Sequence, residues 1–443
     1  MNLMLSITFL IITICFLALV NKFADKMKKN QFITAMIVIV SVGAILRTLA
    51  IIYIPCKTVS DYNTMFSAAK NFAVGGRPFV MGSYFQRFPH MTTYSVFCGF
   101  LMKIFGQSLW VIKIFNVVFK TVAIYAAALV GNELLGRKGM LSAAFLYAVF
   151  PADIFYTSVA ATENYALTLL VFSLLFYIKA YKCTEIKATL KDLAFCGLLL
   201  SFGCLLRGVA PFYLAAYFAG ILFVFKGIRR KILSIVSLFL VYFVIFQSVS
   251  LMLFYTGITE YKLTDKGEPY IVYMLVGSNF ETNGMYSSED HGVYLEADEN
   301  PDIASEIAKE RLVERLVENK EKIIPLWIKK TDIIWSDASF NGIYWSMYEN
   351  GMDTDNPFAY TAEKLAMTMY RFLLIMTFFA VVFYKERRLT FMLALLPLAF
   401  EGGLMLIEIQ PRYTFSVAYI FILFAVVGFH IIYEYTKRLL KKS

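Results

Sequence analysis

Runs of about 20 apolar residues recur along this chain, and a run of that length crosses the hydrocarbon core of a bilayer as a helix. Eleven such spans are expected, at 2–20, 31–54, 109–131, 139–157, 160–180, 192–207, 210–226, 232–255, 363–384, 389–409 and 413–434. Residues 192–226 are divided at "LLRGVAP", because one helix would overshoot the bilayer and would contain Pro211. The chain is 59% hydrophobic and 17% charged, against roughly 45–50% and 25% in soluble domains. The expected fold class is therefore an all-α polytopic membrane protein.

Charge gives the spans a direction. The first run opens on "MNLML", without positive charge, and "NKFADKMKK" follows it. It reads as a retained span rather than a cleavable signal peptide. Basic residues favour the cytoplasmic side, which sets the N-terminus outside and the C-terminus inside. Threaded from there, the inner segments are "NKFADKMKK", "GRKG", "KAYKCTEIKATLK", "KGIRRK", "KERR" and "TKRLLKKS", and they hold half of the 42 Lys and Arg. The net charge of +10 is thus a topology signal, and nucleic-acid binding is not expected. Six scattered cysteines without a C-x-x-C pair suggest neither a disulfide framework nor a zinc site, although Cys56 and Cys98 share a side and could bridge. Three dispersed histidines suggest no metal site.

Two outer segments, 55–108 and 256–361, are too long for tight turns. The second carries 20 of the 32 acids. Its stretch "IASEIAKERLVERLVENKEKIIPLWIKKTDIIW" has helical apolar spacing. It reads as an amphipathic helix resting on the domain or the bilayer surface, or as a plain solvated one. In the first segment, "MTTYSVFCGFLMKIF" is too short to cross and reads as an interfacial helix.

Polar residues gather at the outer ends of separate spans. Asp61 follows the second span and is the only acid from residue 26 to residue 132. Arg87 and His90 stand in "YFQRFPHMTTY", Glu163 and Asn164 in "SVAATENYA", Arg207 in "CLLRGVAP", and Glu408, Arg412 and Tyr413 in "EIQPRYTF". Ionisable groups at membrane depth are costly and need a partner or a task. Each has a plain structural alternative. Ser60 or Asp61 can cap the helix beginning "YNTMF". Arg207 and Arg412 can snorkel to headgroups. Glu163 can pair with an arginine, Arg87 can be a surface residue, and Glu408 can merely hold Arg412. Arg47, inside the second span, is expected to pair internally. Taken together the set suits one chemistry. A lone carboxylate can take a proton from an attacking hydroxyl or amine, and arginines can hold a phosphate and the charge that develops as it leaves. A lipid-phosphate leaving group needs no general acid, and one-base displacement would invert the anomeric centre, by analogy with inverting glycosidases.

The order of "SDY", "GGRPF", "RFPH", an interfacial segment ending in "FG", "LYAVFPADIFYTSVAATENYALTLL", "GLLLSFGCLLRGVAP" and "EIQPRYTFSVAYIF" resembles the GT-C superfamily of membrane glycosyltransferases. It is most similar to the branch of protein O-mannosyltransferases and lipid A aminoarabinose transferases, over roughly residues 40–430. The resemblance implies Asp61 as catalytic base, and Arg87, Arg207 and Arg412 as ligands of the donor phosphate. Tyr62, His90, Glu163, Asn164, Glu408 and Tyr413 would line the donor or acceptor pocket. It implies a polyprenyl-phosphate sugar as donor and an envelope acceptor, with membrane lipids as surroundings, in a bacterial plasma membrane. No metal or further cofactor is expected, since Tyr62 stands where many members carry a second acid. The organisation expected is an additional span with a basic loop (1–30), a GT-C-like core including the first outer loop (31–255), an acidic outer region (256–361) and C-terminal spans with a basic tail (362–443). A transporter or flippase of lipid-linked sugars is the alternative, as is a catalytically inactive assembly subunit. Transporters usually show repeats and a polar site at mid-membrane; here there is no repeat and the polar groups cluster toward one face.

Overall fold

The computed structural model describes residues 2–265 and 267–441; Lys442 and Ser443 of the basic tail lie outside the described residues. Among these residues there are helices and no strands. In chain order the helices are α1 (Asn2–Phe23), α2 (Lys29–Tyr53), α3 (Ser60–Ala73), α4 (Tyr84–Arg87), α5 (Thr92–Phe105), α6 (Leu109–Ala148) and α7 (Pro151–Tyr156). Then come α8 (Glu163–Lys182), α9 (Ile186–Leu206), α10 (Ala210–Val224), α11 (Ile228–Tyr255), α12 (Tyr270–Gly277) and α13 (Ser288–Glu296). The last are α14 (Pro301–Glu318), α15 (Ile323–Ser336), α16 (Gly342–Ser346), α17 (Pro357–Phe383), α18 (Arg387–Leu404), α19 (Pro411–Thr414) and α20 (Tyr419–Leu439).

Eight of the described helices are long and apolar enough to cross a membrane, so by that measure the count of eleven is not reached. The difference has local causes. Helix α6 contains the expected span 109–131 and the first part of that at 139–157, folded back on each other at Gly136, whose φ of 60° opens the turn. Gly131 and Gly139 lie against each other across that turn, where a Cβ on Gly131 would sit 2.3 Å from the Gly139 carbonyl oxygen. Helix α10 is only 15 residues long, and α18 begins on Arg387 and Arg388 and carries Glu401. The bundle turns large apolar side chains outward, among them Ile37, Ile45, Phe223 and Phe378, as a surface solvated by lipid requires. This is an integral membrane protein.

Small residues set the helix spacing. Gly428 lets α20 lie directly on α17, because a Cβ there would fall 1.9 Å from the Met376 carbonyl oxygen. Gly428→Ala is expected to push the two helices apart at a cost on the order of 1–3 kcal/mol, read as a lower melting temperature in detergent. Gly402→Ala, where a Cβ meets open space, should leave that temperature unchanged or slightly raised.

A buried ion cluster fastens α2, α6 and α7. Arg47 donates to Asp153 Oδ2 from Nε at 3.1 Å and from Nη2 at 2.6 Å, and Lys120 Nζ meets Oδ1 at 2.5 Å. Arg47 also donates to the carbonyls of Gly43, Tyr147 and Ala148, so its internal pairing is realised. Beyond α7 the chain unwinds before α8. The Asn116 amide donates to the orphan carbonyls of Thr157 and Val159, and the Asn164 amide to those of Tyr156 and Val159. The span expected at 139–157 is broken between Ala148 and Pro151, where Pro151 has no N–H to donate and the Arg47 guanidinium donates to the carbonyls of Tyr147 and Ala148.

The two long non-spanning segments are stitched together at one end of the bundle. Backbone pairs join Glu260 to Phe79 and Glu268 to Arg87, at 3.1 and 3.0 Å. The amphipathic stretch forms two helices, α14 and α15, parted by a turn at Lys320–Lys322. Helix α14 rests on the domain, burying Ala308 and Leu312 against Val272, Leu275 and Val293 in a small core of its own. The segment "MTTYSVFCGFLMKIF" forms the 14-residue α5. All six cysteines are free thiols, so Cys56 and Cys98 are not bridged.

Candidate active site

At the stitched end, Tyr84 and Arg412 meet one carboxylate, that of Asp61. Asp61 lies in the first turn of α3, whose cap position is Val59, with no side-chain cap. Neither Ser60 nor Asp61 serves as a helix cap. Instead the Tyr84 hydroxyl donates to Asp61 Oδ1 at 2.8 Å, and Arg412 Nη2 approaches Oδ2 at 3.5 Å. The Asp61 side chain is 32% exposed, so the carboxylate is not sealed from a reactant.

Arg412 is the cation of this site. Its Nη1 donates to the Tyr62 hydroxyl at 3.1 Å, and its guanidinium is ringed by Tyr62, Trp345 and Tyr413. The Nε is buried with no hydrogen-bond partner among the described residues. A guanidinium held by aromatic faces, with one long ion pair and one idle donor, retains capacity for a further anion.

Arg207 stands beside it, its Nη2 reaching the Arg412 carbonyl oxygen at 3.5 Å. It is more tightly committed. Glu163 Oε1 lies 2.8 Å from Nη1 in an ion pair outside hydrogen-bond alignment, and Ser416 and Thr162 accept from Nε and Nη1 at 3.0 Å. The expected pairing of Glu163 with an arginine is thus found. His90 packs over Gly208. The close packing around its ring, and then Arg207, push its pKa down to about 4. The residue as a whole is exposed.

Arg87 belongs to a second cluster. It is ion-paired to Glu268, donates to the His291 carbonyl at 3.0 Å and stacks on Phe88 and Tyr294. His291 bridges two carboxylates, with Nδ1 3.3 Å from Glu268 and Nε2 2.9 Å from Glu408. Glu408 accepts in turn from the Tyr413 hydroxyl at 3.2 Å, and Tyr413 lies against Arg412. Lys330 fixes the segment before Glu408 by donating to the carbonyls of Gly277, Met405 and Ile407. Asn164 is fully buried and spends its amide on the unwound backbone; it braces the site rather than lining it. The three arginines expected to hold the donor phosphate are thus differently engaged. Arg87 and Arg207 each sit in a close ion pair, and Arg412 alone keeps a loose one.

The His291 bridge has a pH consequence. Burial works against the imidazolium, but hydrogen bonds to Glu268 and Glu408 and their charges outweigh it, raising the pKa from 6.5 to about 9. A pKa raised on folding gives stability that is fully present below the unfolded value and lost as pH rises through the folded one. The groups facing the ring are Glu268, Glu408, Tyr273 and Tyr286. Thermal stability is expected to fall between about pH 7 and pH 10 in the native protein, and His291→Gln should flatten that decline.

Tyr84, Trp345, Glu268 and His291 were not singled out from sequence. Tyr84 meets Asp61 across 23 positions and Arg412 meets it across 351, separations that leave no local pattern. Among the described residues no group of His, Cys, Asp or Glu is arranged to hold a metal. Glu268 and Glu408 address opposite edges of His291 instead of a shared point.

Residues 90–255 match the family described as dolichyl-phosphate-mannose-protein mannosyltransferase. Comparison with curated protein sequences finds no match. Among solved structures, the chain is similar to the oligosaccharyltransferase of Archaeoglobus fulgidus tethered to an acceptor peptide. That likeness has a TM-score of 0.52 and 15% identity, over 92% of this chain and 50% of that one. A second structure, the archaeal oligosaccharyltransferase AglB from Archaeoglobus fulgidus with an inhibitory peptide and dolichol-phosphate, gives 0.47 and 12%, over 93% and 51%. The chain thus spans about half the length of these proteins, and the likeness is one of fold. The family match over residues 90–255 and the shared fold both support the resemblance of this chain to the GT-C superfamily of membrane glycosyltransferases.

Proposed function

We propose that this protein transfers a sugar from a polyprenyl-phosphate carrier to a cell-envelope acceptor, which can be a glycan, teichoic acid, lipid or protein, on the extracytoplasmic face of a bacterial plasma membrane. The observation that carries the reading is the meeting of Asp61 with Arg412, 3.5 Å apart and 351 positions apart in sequence. The dolichyl-phosphate-mannose family matched by residues 90–255 supports a lipid-phosphate donor. The basic loops support the outward placement of the site.

In this reading the acceptor hydroxyl gives its proton to Asp61 Oδ2 as its oxygen attacks the anomeric carbon. The bond from that carbon to the carrier phosphate breaks, and the phosphate leaves with the electron pair. Arg412 takes up its charge, with Arg207 beside it. Tyr84 fixes the Asp61 carboxylate through Oδ1, leaving Oδ2 for the proton. His90 and Tyr62 shape the pocket, while Arg87, Glu268, His291, Glu408 and Tyr413 form the frame that holds Arg412. Attack opposite the leaving phosphate inverts the anomeric centre. A transporter would need polar groups open to water at mid-membrane; the cluster deepest in the bundle, Arg47, Lys120 and Asp153, is closed and internally paired.

The test is mass spectrometry of envelope polymers from cells with and without the protein. Loss of one sugar substituent is expected and would name donor and acceptor together. Identical envelopes under conditions where the protein is expressed would count against the reading.

A further inference from the structure

The opposite end of the bundle holds a cavity that the transfer chemistry does not use. Its volume is about 890 Å³. Its walls come from the C-terminal ends of α8, α10, α17 and α20 and the N-terminal ends of α11 and α18. Glu163 opens α8 at the candidate active site and Lys182 closes it at this cavity, a helix length of roughly 30 Å. The two sites are therefore separate.

Six Lys and Arg line the cavity against three Glu. Lys182 is satisfied by Glu133 at 3.0 Å. Arg230 donates through Nη2 to the carbonyls of Ala180 and Cys183, while its Nε is buried with no partner among the described residues. Lys226, Lys385, Arg388 and Arg438 make no ion pair among the described residues. Glu133 is taken by Lys182 and Glu434 lies 3.9 Å from Lys437, which leaves Glu386 against these four cations and a rim of net positive charge. The remaining wall includes Leu134, Phe383, Leu389 and Ile431, with Tyr181, Tyr384 and Tyr435. Aromatic rings at this level suit a membrane–water boundary, and apolar walls beneath a cationic rim suit a molecule with an anionic head and a hydrocarbon tail.

We infer that this cavity is a binding site for a phosphate-bearing anion, with Arg388 and Arg438 as the principal ligands and Lys226 and Lys385 completing the charge. Arginine suits this because its planar fork meets phosphate oxygens two at a time. The phosphate can come from the headgroup of an anionic phospholipid or from a free phosphate in solution, and the chemistry of recognition is common to both.

The experiment uses the full-length purified protein. Binding of phosphatidylglycerol, phosphatidylcholine and inorganic phosphate is measured by native mass spectrometry and by thermal shift. The variants are Arg388→Ala/Arg438→Ala and a control, Lys187→Ala/Lys191→Ala, which removes the same charge from exposed positions outside the cavity. One phosphatidylglycerol per chain is expected to bind saturably. Affinity should fall on the order of tenfold or more in the arginine variant and be unchanged in the control, with phosphatidylcholine not competing. If inorganic phosphate binds with the same dependence on Arg388 and Arg438 and displaces the lipid, the site stands with a soluble phosphate as its ligand. Equal loss in both double variants would reduce the effect to general surface attraction and overturn the inference. So would the absence of saturable binding of either probe to the native protein.

Discussion

Asp61→Asn is expected to lower sugar transfer by about 10²–10⁴-fold while leaving the protein folded and the donor bound. The amide keeps the volume of the carboxylate and can still accept the hydrogen bond from Tyr84 that now falls on Oδ1 at 2.8 Å. It cannot take a proton from the acceptor. The Arg412 contact with Oδ2 is long, at 3.5 Å, so losing the charge removes little structural support. Single-turnover assays with a labelled lipid-phosphate sugar separate the two consequences: the chemical step collapses while donor affinity changes little. Tyr84→Phe should reduce the rate less, because it frees the carboxylate to rotate but leaves its basicity in place. Undiminished transfer by Asp61→Asn would remove Asp61 from the base role whatever the remaining geometry.

Asp153→Ala should have the largest effect on stability, about 3–5 kcal/mol. Among the described residues Asp153 is the only carboxylate paired with either Arg47 or Lys120, and all three side chains are at most 1% exposed. Removing it leaves two like charges facing each other without water. The rest of the Arg47 hydrogen bonds go to carbonyls, which satisfy its donors but do not neutralise it. The readout is the melting temperature and the monodisperse fraction after detergent extraction. Lys329→Ala, which breaks an exposed pair with Asp332, should change neither by a measurable amount. A variant at Asp153 as stable as the native protein would show that the cluster is not the fastening of α2, α6 and α7.

Much of the helical architecture is legible in the apolar runs, because lipid demands a continuous length of apolar helix and the basic segments between runs are short. Where the reading fails, a tertiary partner is the reason. The span expected at 139–157 breaks before Pro151 because Arg47, from 100 and 101 positions away, satisfies the freed carbonyls of Tyr147 and Ala148. The amphipathic stretch divides after Glu318, where its helical spacing continues in sequence but the packing partner changes from α12 and α13 to α19. Several of the ionisable site residues could be picked out because a lone charge beside a membrane span is conspicuous. Their partners could not. Tyr84 and Trp345 are ordinary aromatics in an aromatic-rich chain, and Glu268 and His291 sit in an acidic segment where no single residue stands out. For the same reason the commitment of Arg87 to Glu268, across 181 positions, was not visible beforehand.

The most direct test of the central claim is to supply proteoliposomes containing the protein with a polyprenyl-phosphate sugar labelled in the sugar, together with an envelope extract as acceptor. The label should leave the lipid, free polyprenyl phosphate should appear in equal amount, and the new glycosidic bond should carry the inverted anomeric configuration. Label that stays lipid-linked while moving across the bilayer, or a product that retains the donor's configuration, would contradict it.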